Sequence, residues 1–139
     1  MEDMKKYEIV SLGLNCMPRT VLTHNGIKPS KAQGELSGPF DLVRHKLDSV
    51  IYYLGNDFKG YCDDLFFVPR KRCFIDFRGK GVWNKPDGTK FFHDKDCDKN
   101  DIEKLTERIT RRIKNFREII KNEKPILFVI NTIDNNTDS

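Results

Sequence analysis

The stretch DIEKLTERITRRIKNFREIIKNEKPILFVIN, residues 101–131, decides the fold. Ile102, Leu105, Ile109, Ile113, Phe116 and Ile120 recur at spacings of three and four, which lines one face of a helix from about Asp101 to Lys121. Asn100 with Glu103 supplies an N-cap and its reciprocal partner. PILFVIN then reads as a strand, apolar throughout, as expected of one buried on both faces. A long amphipathic helix feeding such a strand predicts an α/β or α+β domain, with a central mixed sheet covered by helices.

Toward the N-terminus the pattern turns to short aromatic-rich runs, DLFFVP, RCFIDFR and TKFFHD, which predict a β meander. Asp87-Gly88, within NKPDGT, marks a hairpin loop. A second helix opens at Phe40-Asp41, with Asp41 as N-cap and Leu42, Leu47, Val50, Ile51 and Leu54 as its apolar face, and closes at Gly55-Asn56. KPSKAQGELSGP, residues 28–39, is a loop long enough to serve as a lid. Tyr7 to Leu12 is the first strand, and Cys16 to about His24 the first helix, with Pro18 harmless in its first turn. The polar tail TIDNNTDS is expected to fray. The predicted order is β, α, α, meander, α, β.

Composition narrows the class. A chain of 139 residues, with ten phenylalanines among its 37% hydrophobic content, is expected to form one domain with a substantial core. It has no run of 18 apolar residues to span a membrane, and MEDMKKYEIV lacks the apolar region of a secretion signal, so a cytoplasmic protein is expected. In that compartment Cys16, Cys62, Cys73 and Cys97 read as free thiols, and the acceptor pattern Asn135-Asn136-Thr137 carries no meaning. The net charge of +4 permits an acidic partner without demanding one.

Chemistry concentrates at SLGLNC, residues 11–16, where a strand hands over to a helix. A thiol in the first turn of a helix faces unpaired backbone N–H groups and the positive end of the helix dipole, both of which favour its anion. The same groups can hold an oxyanion forming beside the sulfur, and Asn15 can add a side-chain donor. Gly13 allows the sharp turn and leaves room for a substrate. A small buried hydrophobe is the competing account of Cys16.

A nucleophilic cysteine needs a base. His24 lies two helical turns beyond Cys16 and reads as a surface residue near the helix end. His45, flanked by Arg44 and Lys46 early in the second helix, reads as solvated or packed. His93 stands at the border between an aromatic strand and the polar loop DKDCDKN, a position from which side chains project into a site. Asp94 can orient it only if the strand breaks there. A zinc site built from His93, Cys97, Cys62 and Cys73 lacks any close cysteine pair, so no metal and no cofactor is expected. PRKR at 69–72 and the arginines of residues 108–117 carry no nucleic-acid signature and share their helix with Glu103, Glu107 and Glu118, so a solvated face is expected.

SLGLNC, GPFDLV, FFHD and ERITRRIKNFREIIKNEKPILFV, in this order, resemble a bacterial family of unknown function described as "putative papain-like cysteine peptidases" (DUF1796). The resemblance implies Cys16 as nucleophile, His93 as base, Asp41 as a third polar member and Asn15 as the oxyanion-hole residue. It implies acyl (peptide or amide) cleavage of an unidentified acyl or peptide substrate. It also implies tryptophan where this chain has Leu42, and further elements beyond PILFVI, so the chain reads as a short or truncated member. Two other functions fit the turn: a non-catalytic module holding an anion or sugar phosphate at residues 13–18, and, by analogy of the strand–Gly–Asn–nucleophile turn, an SGNH-like esterase or acyltransferase. A basic nucleic-acid scaffold is a weaker third.

Overall fold

The computed structural model describes residues 6–29, 32, 37–63, 65–76 and 89–131. Along the chain run β1 (Glu8–Gly13), α1 (Met17–His24), α2 (Leu47–Gly55), β2 (Leu65–Val68), β3 (Cys73–Asp76), β4 (Thr89–Phe91), α3 (Ile102–Lys121) and β5 (Ile126–Ile130). The mixed α+β class is as the sequence predicts. The strands divide into two sheets: β1 and β5 pair in parallel, and β2-β3-β4 form an antiparallel meander. Val10 lies opposite Phe128 in the first, and Phe74 stands between Phe67 and Phe91 in the second. Asp87-Gly88 and the Asn135 tripeptide fall outside the described residues, as does much of 28–39.

Arg44 and His45 join the sheets at one corner. Arg44 exchanges backbone hydrogen bonds with Lys90 of β4, at 2.9 and 2.7 Å, and the His45 N–H donates to the Leu14 carbonyl at 2.9 Å. Successive residues of an extended segment present their N–H groups to opposite sides, so this segment reaches β4 one way and the turn after β1 the other.

That use of residues 40–46 corrects the predicted second helix. α2 begins at Leu47, with Lys46 in extended conformation at its N-cap. Asp41 caps nothing there, because its carboxylate accepts from Arg19 at 2.7 Å and from the Gly38 N–H at 2.7 Å. The buried face of α2 is Ser49, Val50 and Tyr53, while Leu47 and Ile51 are exposed.

On α3, Leu105, Ile109 and Phe116 are buried as their spacing predicts, while Ile102 and Ile120 at its two ends are exposed. The predicted capping box is replaced. Asp101 is the N-cap without a side-chain cap bond, and its carboxylate instead accepts from the Asp98 N–H at 2.9 Å. β5 is another correction. It is only partly buried, with Phe128 exposed, because among the described residues it pairs with β1 alone. The core lies between α2, α3 and the meander, where Phe40, Phe58, Phe116, Tyr53 and Tyr61 meet through rings 4.7 to 6.3 Å apart. Each fully buried ring of this kind contributes about 2–3 kcal/mol of transfer free energy. Among the described residues no helix is long and apolar enough to cross a membrane.

Candidate active site

β1 and β5 run parallel, and the turn carrying Cys16 leaves the carboxyl end of β1, the edge where open α/β sheets place their sites. Asn131, directly after β5, fastens that turn. Its N–H donates to the Gly13 carbonyl at 2.8 Å, its Oδ1 accepts from the Leu14 N–H at 2.8 Å, and its Nδ2 donates to Asn15 Oδ1 at 3.3 Å. Asn15 Oδ1 also accepts from the Met17 N–H at 2.8 Å, which caps α1 from outside. With both donors on the oxygen, the amide orientation of Asn15 is fixed. Its Nδ2, together with the N–H groups of Asn15 and Cys16, makes no hydrogen bond among the described residues. Three unengaged donors thus belong to the two residues that lead into α1, groups of the kind that can receive an oxyanion.

Cys16 is the N-cap of α1 and already has helical dihedrals. It is half-buried, whereas Cys62, Cys73 and Cys97 are buried and unpaired. Burial pushes those three thiols up, most strongly Cys62, where the neighbouring Asp76 carboxylate adds to the effect. Of the four, Cys16 is the accessible sulfur.

His45 lies against the same turn. Its ring Nε2 is 2.8 Å from the Leu12 carbonyl, which makes Nε2 the protonated nitrogen. Nδ1 is buried without a partner among the described residues. Burial, only partly offset by the Leu12 hydrogen bond, lowers the imidazole pKa to about 4. The ring is therefore a neutral packing element, in keeping with the packed alternative expected for it. Gly13, at φ +91, leaves the space the ring fills: a Cβ there would lie 2.5 Å from Nε2.

His93 is exposed in the turn after β4, which ends at Phe91. The strand does break before Asp94, yet that carboxylate is engaged by arginines and not by the imidazole. It is buried and accepts from Arg108 at 2.8 Å and from Arg112 at 3.2 and 2.8 Å. Arg108 also holds Asp96 with two bonds, at 2.8 and 2.7 Å, which keeps the Asp96 carboxyl far below the usual carboxylate range. Of the basic residues of α3, Arg108 and Arg112 are held by aspartates, while Lys104, Arg111, Lys114, Arg117 and Lys121 are exposed, as expected of a solvated face. Cys16 and His93 are not hydrogen-bonded to each other.

Two cavities lie nearby, one of them lined by His93 and neither by Cys16. One, of about 390 Å³, is lined by Arg19, Thr20, Thr23, His24, Ser37 and Leu42. The other, of about 490 Å³, includes His93, Asp94, Arg111, Arg112 and Asn115, and shares Ser37 and Leu42 with the first. The two are neighbours through those shared residues. Thr20, Thr23 and His24 follow Cys16 by four, seven and eight residues, so the α1 face lining the first cavity is the face that starts at Cys16. Among the described residues no three His, Cys, Asp or Glu side chains converge as a metal site.

Sequence reasoning missed Asn131 and the Asp94–arginine cluster. The signal for Asn131 was a polar residue directly after an apolar strand, at the same sheet edge as the Cys16 turn.

A half-buried cysteine thus stands at a helix start, beside unengaged donors, at the end of a parallel strand pair. The chain belongs to the family described as "Putative papain-like cysteine peptidase (DUF1796)", whose model matches residues 7–138. Comparison with curated proteins and with solved structures gave no match.

Proposed function

We propose that the protein is a cysteine hydrolase that cleaves an acyl bond of the peptide or amide kind. Cys16 is its nucleophile and His93 its base. The observation that carries this reading is the corner at Arg44 and His45: Arg44 pairs with Lys90, three residues before His93, and His45 binds Leu14, two residues before Cys16. Consecutive residues thereby tie the segment bearing the base to the segment bearing the nucleophile.

In the proposed reaction His93 takes the Cys16 thiol proton as sulfur attacks the acyl carbon. The carbonyl electrons move onto oxygen, where the N–H groups of Asn15 and Cys16 and Asn15 Nδ2 receive them. Collapse expels the amine, which leaves with the proton from His93. Water, deprotonated by His93, then cleaves the thioester and frees Cys16. Asn15 supplies the oxyanion donor and Gly13 the turn. Asp41 serves from the side, holding Gly38 and also Arg19, which lines the first cavity, and Asp94 anchors the arginines beside His93. The absent bond between Cys16 and His93 fits a pair that tightens only around substrate. The family description supports this reaction class. A soluble, cytoplasmic setting suits a catalytic thiol that must stay reduced.

The test is iodoacetamide labelling across pH, read cysteine by cysteine by mass spectrometry, in the native chain and in His93→Ala. Cys16 should react first, and its rate–pH profile should move when His93 is removed. An inert Cys16, or a profile indifferent to His93, would reject the pair. The unengaged donors would then mark an anion-holding turn, one that keeps binding in Cys16→Ser.

A further inference from the structure

We infer that the cavity beside His93 is an anion subsite, taking a carboxylate or phosphate group through Arg111. Its charges do not balance locally. Arg108, Arg111 and Arg112 line it against two carboxylates, Asp94 and Asp96. Asp94 is consumed by Arg108 and Arg112, and Asp96 by Arg108 and by Lys104 at 3.1 Å. Arg112 is itself buried, with two of its nitrogens on Asp94, so it is a wall rather than a free hand. The Arg111 side chain has no ion pair and no hydrogen bond among the described residues, although it lines the same space. Asn115 is fixed beside it by donating from Nδ2 to the Ser37 carbonyl at 3.0 Å.

A guanidinium offers a planar fork that pairs with two oxygens of one carboxylate or phosphate, and a neutral ligand group would leave that fork unmatched. A space of about 490 Å³ suits a side chain or small molecule rather than a polymer. Nor is α3 a polyanion surface, since Arg108 and Arg112 are taken by aspartates and Arg117 bonds Asp57 at 3.2 Å. Among the residues lining the cavity, the unpaired positive charge is that of Arg111, in the same lining as the proposed base. Resting on the hydrolase reading, this places an acidic group of the substrate beside His93, so acidic acyl substrates would be selected over neutral ones.

The experiment is an amide-resonance titration of the full chain with sodium phosphate and, separately, with sodium acetate, at constant ionic strength so that screening does not mimic binding. Wild type and Arg111→Ala are compared; Arg111 is exposed on a helix, and an otherwise unchanged spectrum verifies the fold. Saturable shifts at His93 and Asn115, with affinity weakened about tenfold in Arg111→Ala, are expected. Saturation by phosphate alone assigns a phosphate group, and saturation by acetate assigns a carboxylate. No saturation by either anion, or equal affinity in the variant, overturns the subsite. Cys16 labelling on the same samples separates the two proposals. An inert Cys16 with intact phosphate or acetate binding defeats the hydrolase alone, and a reactive Cys16 without anion binding defeats the subsite alone.

Discussion

Gly13 and His45 form a lock-and-key contact on which the Cys16 turn depends. Replacing Gly13 with alanine adds a Cβ 2.5 Å from His45 Nε2 at a φ of +91, so both sterics and backbone oppose it. The expected loss is about 3 kcal/mol, seen as a lower urea midpoint. His45 also sets a pH dependence. Its folded pKa of about 4 lies below the ordinary imidazole value of 6.5, so between those values the unfolded chain binds more protons. Stability should therefore fall as pH drops through this window, by about 3 kcal/mol in total from this group. His45→Gln, which can still donate to the Leu12 carbonyl, should flatten the slope of unfolding free energy against pH from 6.5 downward. An unchanged slope would mean that another group is responsible.

Between elements, two polar clamps do what apolar packing does elsewhere. Asn131 ties the end of β5 to the turn after β1, and Asn131→Ala removes its bonds to Leu14 and Asn15. A loss of about 2 kcal/mol is expected, together with altered Cys16 labelling, because Asn15 is then released. The second clamp is Asp94 between Arg108 and Arg112, which fixes the loop after β4 against α3. Asp94→Ala strands the buried Arg112 guanidinium and should cost about 3–5 kcal/mol in denaturant unfolding. The double variant Asp94→Ala, Arg112→Met should recover much of it, whereas a loss as large as in Asp94→Ala would locate the cost in the loop backbone. This pairing explains why Arg112 occupies a buried position on the stripe of Leu105, Ile109 and Phe116. Periodicity could not reveal it, since the partner lies 18 residues away.

Across the molecule, thiol accessibility reports the fold. Cys73 and Cys97 are completely buried, one in the meander and one in the loop that the arginines hold. Their alkylation should track global opening and accelerate with denaturant in step with unfolding, while Cys16 reacts from the native state. Labelling of Cys97 at low denaturant, ahead of Cys73, would show instead that the loop after β4 opens on its own.

The sequence by itself determined which segments are helical or extended wherever the pattern was local: α3 from its spacing, β2 and β3 from their aromatic runs, and the cysteine at the mouth of α1 from Gly13 to Pro18. Family membership is likewise legible in the sequence, since the family model matches residues 7–138. Tertiary structure alone decided that residues 40–46 join β4 to the Cys16 turn rather than begin a helix, that β5 stays half exposed, and that Asp94 serves two arginines and not His93. The physical reason is common to all three. A backbone N–H or a carboxylate bonds to whatever partner the fold brings within about 3 Å, and partners distant along the chain leave no periodic trace in it.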